Sequence, residues 1–322
     1  MSTFRFVILG AGGIAEKFCD AVRRVPGCEA AAVASKSLER AKRFAERSGL
    51  AAYYDSYEEM LLREKPDAAY IAVTHDAHFP LLTLCIKHGV PVLCEKCLCM
   101  NGQEARTALA EAEKQRVFVM EAMWSRFLPA VRKAREWVRG GRIGMPELSQ
   151  FLIGFHAEER PDNRYYSRAL GGGAARDLGV YGYELTTYVL EQEIRRMTAA
   201  ATWSETGVDT NDHITIEFEH TLADIMASID CALEERMIVY GKQGKIVLPQ
   251  PHFASECMLY GGDGQLLEHF RDTETQNGFV YEIEETVRCV RGGLLESPVV
   301  PHALTIACAE LFDLLEEGGK EA

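Results

Sequence analysis

No run of about 18 apolar residues occurs anywhere in the 322-residue chain, so no transmembrane helix is expected. An excess of basic residues is missing too. Lysine and arginine total 35 against 48 acidic residues, a net charge of −13 spread along the sequence. Nucleic-acid affinity rests on clustered Lys and Arg, so this balance argues against a phosphate-backbone partner and reads as solubility. The opening MSTFRFVILGAGG lacks a basic region followed by a small-residue cleavage site. No secretory signal is therefore expected, and the ten cysteines are expected as reduced thiols in the cytoplasm. Three of them, Cys94, Cys97 and Cys99, crowd the stretch VLCEKCLCMN. A closed zinc site needs four ligands, usually with a second paired cluster, and no second close cysteine pair exists. Buried, inert thiols are expected, and no metal. His156, His213 and His252 lie too far apart in sequence to suggest a metal triad, although folding could bring them together. Internal repeats, low-complexity tracts and long linkers are absent.

What is present suits two domains. With 47% hydrophobic and 26% charged residues the chain has an ordinary globular composition. Strand-like runs at 4–9, 29–35, about 51–56, 67–74, 90–95 and 117–122 alternate with helical patterns at 14–24, 37–49, 57–64, 78–88 and 102–115. This alternation predicts an α/β, Rossmann-type doubly wound parallel sheet. After about residue 145 the runs lengthen: 147–156, 196–204, 212–219 and 223–232, then shorter ones near 237–248 and 256–270. Helices are placed at about 176–190, 279–291 and 302–317. The second half is expected as an α+β domain with a large mixed or antiparallel sheet, helices on one face. The expected domains are 1–125, binding a dinucleotide, and 126–322, serving substrate and oligomerisation. The C-terminal helix is a candidate to pack back on the first domain.

GAGGIA at 10–15 is a GxGxxA loop between the first strand and first helix. Gly10 permits a tight turn, and Gly12 lets backbone amides approach a pyrophosphate at the helix N-terminus. Ala15 allows close helix–sheet packing. Gly13 and Ile14 complete the expected loop contacts. An acidic residue at the end of the second strand would hold a ribose 2′-hydroxyl and repel a 2′-phosphate. This chain has Ser35-Lys36-Ser37 there, with Arg40 one turn into the helix. Hydroxyls and cations suit a phosphate, so NADP is expected ahead of NAD, although a solvated basic helix start would look the same.

These residues carry a resemblance. GAGGIA, THDAH at 74–78, CEK at 94–96, MEAMWSRFLPA at 120–130 and GGGAARDLGVYG at 171–182 resemble the Gfo/Idh/MocA oxidoreductase family nearly end to end. Within it the chain is most like the dimeric dihydrodiol dehydrogenase branch, which also oxidises D-xylose. The resemblance implies a catalytic lysine, and Lys96, after the fifth strand, matches it. The family's Glu-Lys-Pro reads Glu-Lys-Cys here, with Cys97 in the proline's place. Many members have histidine where this chain has Tyr181, while the dihydrodiol branch has tyrosine. Asp177 and Tyr181 stand at i and i+4 and would share one face of a helix. A lysine ammonium nearby would favour tyrosinate. Tyr181 is thus cast as general acid/base, Lys96 as its electrostatic partner and Asp177 as an orienting group. A dipole-stabilised Asp at a helix start and a packed aromatic would give the same pattern. Thr74, His78 and Glu95 are further candidates for the cofactor, and Trp124, Arg126 and Arg164 for the substrate pocket.

The expected activity is hydride transfer between NADP and a secondary hydroxyl carbon of a sugar, polyol or trans-dihydrodiol, in a homodimer or larger homo-oligomer. Three alternatives fit the same residues. One is an NAD-dependent glycosidase that retains its cofactor, another a cofactor-sensing regulator without chemistry. The third is a zinc-binding interaction module built on the cysteine cluster.

Overall fold

The computed structural model describes residues 2–160 and 162–318. The chain forms two compact units. The first runs to Trp124 and takes in Asn277–Ala309. The second comprises Ser125–Gln276 and the chain from Glu310 on. The return of Asn277–Ala309 differs from the single cut after 125 expected from the sequence, which assigned only a C-terminal helix to any such return.

The first unit opens with β1 (Phe4–Leu9), α1 (Gly13–Arg24), β2 (Cys28–Ala34), α2 (Leu38–Ser48), β3 (Ala52–Tyr54) and α3 (Tyr57–Glu64). It continues with β4 (Ala68–Ile71), α4 (His78–Lys87), β5 (Val92–Glu95), α5 (Gly102–Gln115) and β6 (Val119–Ala122). The strands order as β3-β2-β1-β4-β5-β6, every pair parallel. β4, β5 and β6 are buried at every residue, as continuous apolar runs in a sheet covered on both faces must be. The order reverses at β1, so a crevice opens beyond the carboxyl ends of β1 and β4, where open α/β sheets take ligands.

The second unit has α6 (Pro129–Arg139), β7 (Pro146–Gly154), α7 (Val180–Leu190), β8 (Ile194–Trp203), β9 (Asp209–Phe218) and β10 (Leu222–Ser228). β11 (Arg236–Gly241), β12 (Gly244–Pro249), β13 (Glu256–Gly261) and β14 (Leu266–Arg271) follow. The two stretches where shorter runs were expected, near 237–248 and 256–270, are hairpins. The eight-stranded sheet is mixed: β7 and β10 pair in parallel, and the remaining pairs are antiparallel. Phe151, Ile153, Ile214, Ile216, Ala223 and Ile225 point to the buried face. Leu148, Leu222 and Met226 alternate outward and are 50%, 45% and 47% exposed.

α6 was not expected. Pro129 stands at its start, and Ala130, Val131, Ala134, Trp137 and Val138 form its buried stripe. Just before it, Arg126 also departs from expectation. It is 1% exposed and holds the fully buried Glu184 of α7 in an ion pair at 2.8 Å. It also donates to the Thr187 hydroxyl at 2.9 Å. A guanidinium fixed in this way is an internal strut rather than a pocket wall.

α8 (Phe279–Arg291) and the start of α9 (His302–Gly318) complete the first unit. The Asn277 amide leads into α8 by donating to the Lys17 carbonyl and to Asp20 on α1, both at 3.0 Å. Phe279 stacks on Trp124 with ring centroids 5.4 Å apart.

Candidate active site

In the first unit the glycine loop follows β1. At Gly10, φ is 118°, and a Cβ would fall inside the Ala72 carbonyl oxygen beyond β4, so only glycine fits. Gly12 and Gly13 are exposed, and a Cβ on either would meet open space. Gly12 is the extended N-cap of α1, and no side chain caps it among the described residues. Its first-turn amides and the helix dipole suit a pyrophosphate. Ile14 is half-buried in that turn. At the end of β2, Ser35 is buried, whereas Lys36 and Arg40 are exposed. The Ser37 hydroxyl accepts from the Arg40 amide and so caps α2. The donor set fits a dinucleotide: glycine amides for the diphosphate, and cations at the strand end where the adenosine ribose lies in such folds.

Lys96 follows β5 and is half-buried. The Lys96–Cys97 peptide bond is cis although Cys97 is not proline. Three side chains fix the turn around it. His78 Nδ1 lies 2.7 Å from the Cys97 carbonyl and Nε2 lies 3.2 Å from the Val73 carbonyl. Burial pushes the His78 pKa down. The Leu98 amide donates to Glu121 at 2.9 Å, and the Thr305 hydroxyl donates to the other oxygen of that carboxyl at 3.1 Å. His78 was expected beside the cofactor; the structure places its ring between two carbonyls, 0% exposed. Thr74 stands at the start of the short 3-10 turn before α4, and its side chain makes no capping bond there among the described residues. Glu95, the residue before Lys96, accepts the Tyr70 hydroxyl. Its pKa is pushed up to about 6 by burial, against the lowering by that hydroxyl and by Lys96.

The three cysteines of VLCEKCLCMN are buried. Burial pushes the Cys94 and Cys99 thiols far up, which keeps them from the thiolate form that binds metal. Among the described residues no group of three or more His, Cys, Asp or Glu could hold a metal ion.

In the second unit, Ala175–Gly179 form a single π-helical turn that passes into α7. Asp177 lies in the π turn and Tyr181 in α7, so the regular i, i+4 helix expected for them is replaced by a wider turn. The glycines before it are buried, and two have a packing reason: a Cβ on Gly172 would collide with the Arg164 and Tyr165 carbonyls. At Gly173 φ is 119°, and a Cβ there would overlap the Asp209 carboxyl. That carboxyl accepts the buried Ala175 amide at 2.6 Å, capping the turn. Asp212 lies beside it, almost wholly buried. Burial, then the neighbouring Asp209, hold its pKa well above the usual carboxylate range. Arg164 was expected near substrate; its guanidinium lies 3.3 Å and 3.4 Å from the two Asp177 oxygens. The partly exposed Tyr181 ring lies 5.3 Å from His252, whose Nδ1 is 3.2 Å from Glu235.

Sequence reasoning missed Tyr70, Glu121, Asp209 and Asp212. Only for Glu121 was there a signal, a carboxylate inside an otherwise apolar strand.

A family model described as "Oxidoreductase family, NAD-binding Rossmann fold" matches residues 4–123. A second, described as "GFO/IDH/MocA C-terminal domain", matches 131–247. The chain is 33% identical over 317 residues to trans-1,2-dihydrobenzene-1,2-diol dehydrogenase of Mus musculus, covering 96% of this chain and 95% of that one. Aldose-aldose oxidoreductase from Caulobacter crescentus, crystallised with glycerol, shares the fold with a TM-score of 0.89. It is 19% identical over 99% of this chain and 98% of that one. A 3-ketoreductase from Actinomadura kijaniata, crystallised with NADP and TDP-benzene, has a TM-score of 0.86 at 22% identity, covering 98% of each chain.

Proposed function

Since the chain belongs to the GFO/IDH/MocA oxidoreductase family, we propose that it is an NADP-dependent dehydrogenase of secondary hydroxyl groups, acting on a sugar, polyol or trans-dihydrodiol. The observation that carries this reading is Lys96 at the carboxyl end of β5, its turn fixed by His78 and Glu121. A bound nicotinamide dinucleotide supplies the hydride acceptor. Gly10, Gly12, Gly13 and Ile14 hold its diphosphate, with Lys36 and Arg40 toward a 2′-phosphate. The relative from Mus musculus is named for a cyclic diol, and the Actinomadura neighbour was crystallised with NADP, both in keeping with this reading.

Tyr181 takes the hydroxyl proton during oxidation, and the Lys96 ammonium stabilises the developing alkoxide. Asp177, held by Arg164, orients the substrate hydroxyls. Electrostatic stabilisation of this kind is commonly worth a hundredfold or more in turnover.

A spectrophotometric screen of NADP+ and NAD+ against pentoses, hexoses, inositols and trans-dihydrodiols tests the activity. Lys96→Met and Tyr181→Phe should each lower turnover by about a hundredfold with NADP affinity nearly intact. The double variant should lose little more, because residues acting as one unit are non-additive. Full activity in Lys96→Met would overturn the assignment. Release of free reduced cofactor during turnover separates a dehydrogenase from a glycosidase that retains it.

A further inference from the structure

α8 carries a carboxyl group that none of these steps uses. Glu282, in its first turn, is 0% exposed, and neither carboxyl oxygen has a hydrogen-bond partner among the described residues. An unpaired carboxylate is very costly to hold away from water, and such a group takes up a proton instead. Burial, then the Glu95 carboxylate, hold the Glu282 pKa well above the usual range.

The other groups bearing on this pair come from three elements. Tyr70 of β4 donates its hydroxyl to Glu95 and is itself raised by both carboxylates after burial. Lys96, directly after β5, and Lys17 of α1 both favour the charged form of Glu95. Cys94 of β5 acts on the Tyr70 hydroxyl in the same upward direction. Two buried negative charges would repel, and one is already claimed by Lys96 and Tyr70.

We propose that Glu282 stands as a neutral carboxylic acid, so that Glu282 and Glu95 together hold one proton and one negative charge beside Lys96. Glu282 is thereby a positioning residue: it adds no second negative charge beside Glu95. Its functional meaning rests on the role given to Lys96 above. With Glu282 neutral, the negative charge of this pair is that of Glu95, and it is lost as that carboxyl takes up a proton in the mildly acidic range.

The test compares the full chain with Glu282→Gln, which keeps shape and polarity but cannot ionise. Infrared difference spectra at neutral pH should show a protonated-carboxyl stretch in the wild type that Glu282→Gln removes. The acid limb of the turnover profile should coincide in the two proteins. Glu282→Leu likewise removes neither a charge nor a hydrogen bond if Glu282 is neutral, so its acid limb should also stay in place. If Glu282→Leu does not fold, the glutamine variant decides alone. The proposal is overturned if Glu282→Gln removes no such band. A shift of its acid limb to lower pH, as deleting a negative charge beside Glu95 would produce, overturns it equally. The infrared band needs no turnover, so a chain inactive on every substrate tried would count against the dehydrogenase reading and leave this test standing.

Discussion

Asp209→Ala removes the acceptor of the Ala175 amide, bonded at 2.6 Å and buried at the start of the π turn. A hydrogen bond to a charged group contributes about 1.5–3 kcal/mol, and a buried donor left without a partner costs about 1–3 kcal/mol. The two descriptions overlap and are not summed. One relief opposes them, since Asp212 no longer meets a neighbouring carboxylate. The net loss should be about 2 kcal/mol. For a unit of this size each kcal/mol moves Tm by roughly 2–4 °C, so a thermal melt should fall by about 4–8 °C. Asp209→Asn keeps an oxygen for the amide and should lose about half as much. Gly173→Ala should also destabilise, because its Cβ would overlap the Asp209 carboxyl, but less so in the Asp209→Ala background, where that space is open. The turn carries Asp177 and leads to Tyr181, so turnover should drop in the alanine variant even well below its melting temperature. A melt of Asp209→Ala within about 1 °C of wild type would refute the reasoning, since it would mean that the carboxyl holds nothing.

Lys36→Glu places an acid at the end of β2, where it would hold a ribose 2′-hydroxyl. Calorimetric titration should show the NADP preference flattened or reversed by about tenfold or more, since one charge-assisted contact is worth that much. Asp212 binds a proton in the folded state at pH values where the unfolded chain has released it, so its burial lowers stability progressively as pH rises above the unfolded carboxylate pKa of about 3.9. Asp212→Asn removes this slope; its Tm should equal wild type near pH 4 and exceed it increasingly toward pH 8, as scanning calorimetry across that range would show. Leu148, Leu222 and Met226 leave an apolar stripe on the outer face of the eight-stranded sheet, and light scattering at micromolar concentration should show a dimer or larger assembly. Leu222→Glu with Met226→Glu should reduce the mass to that of a monomer.

The first unit was legible because each of its signals is local. Residues 4–9 and 57–64 form the predicted strand and helix to the residue, since apolar runs and capping serines sit beside what they specify. α6 carried its signal too, an apolar stripe behind Pro129, but it lay where a domain boundary was expected. The π turn was beyond reach, because the carboxyl that caps it, Asp209, lies 34 residues away in sequence. Arg126 looked like a site residue for a similar reason: its partner Glu184 is visible only once α6 and α7 are packed. The position of Lys96 could be read from a motif. Its supports at Glu121, Tyr70 and Thr305 are ordinary residues made specific by distant neighbours.

The path of the chain between its two units also bears on biosynthesis. When the ribosome has made the first 124 residues, all six parallel strands exist, yet the unit they belong to is unfinished. Glu282 is missing, as are Phe279 under Trp124 and the Thr305 hydroxyl that holds Glu121. These arrive only after the whole eight-stranded sheet has been synthesised. A nascent chain stalled near residue 200, with β5 and β6 clear of the exit tunnel, should therefore remain open to proteases in those strands, and protection of that region should appear only when Asn277–Ala309 has also emerged.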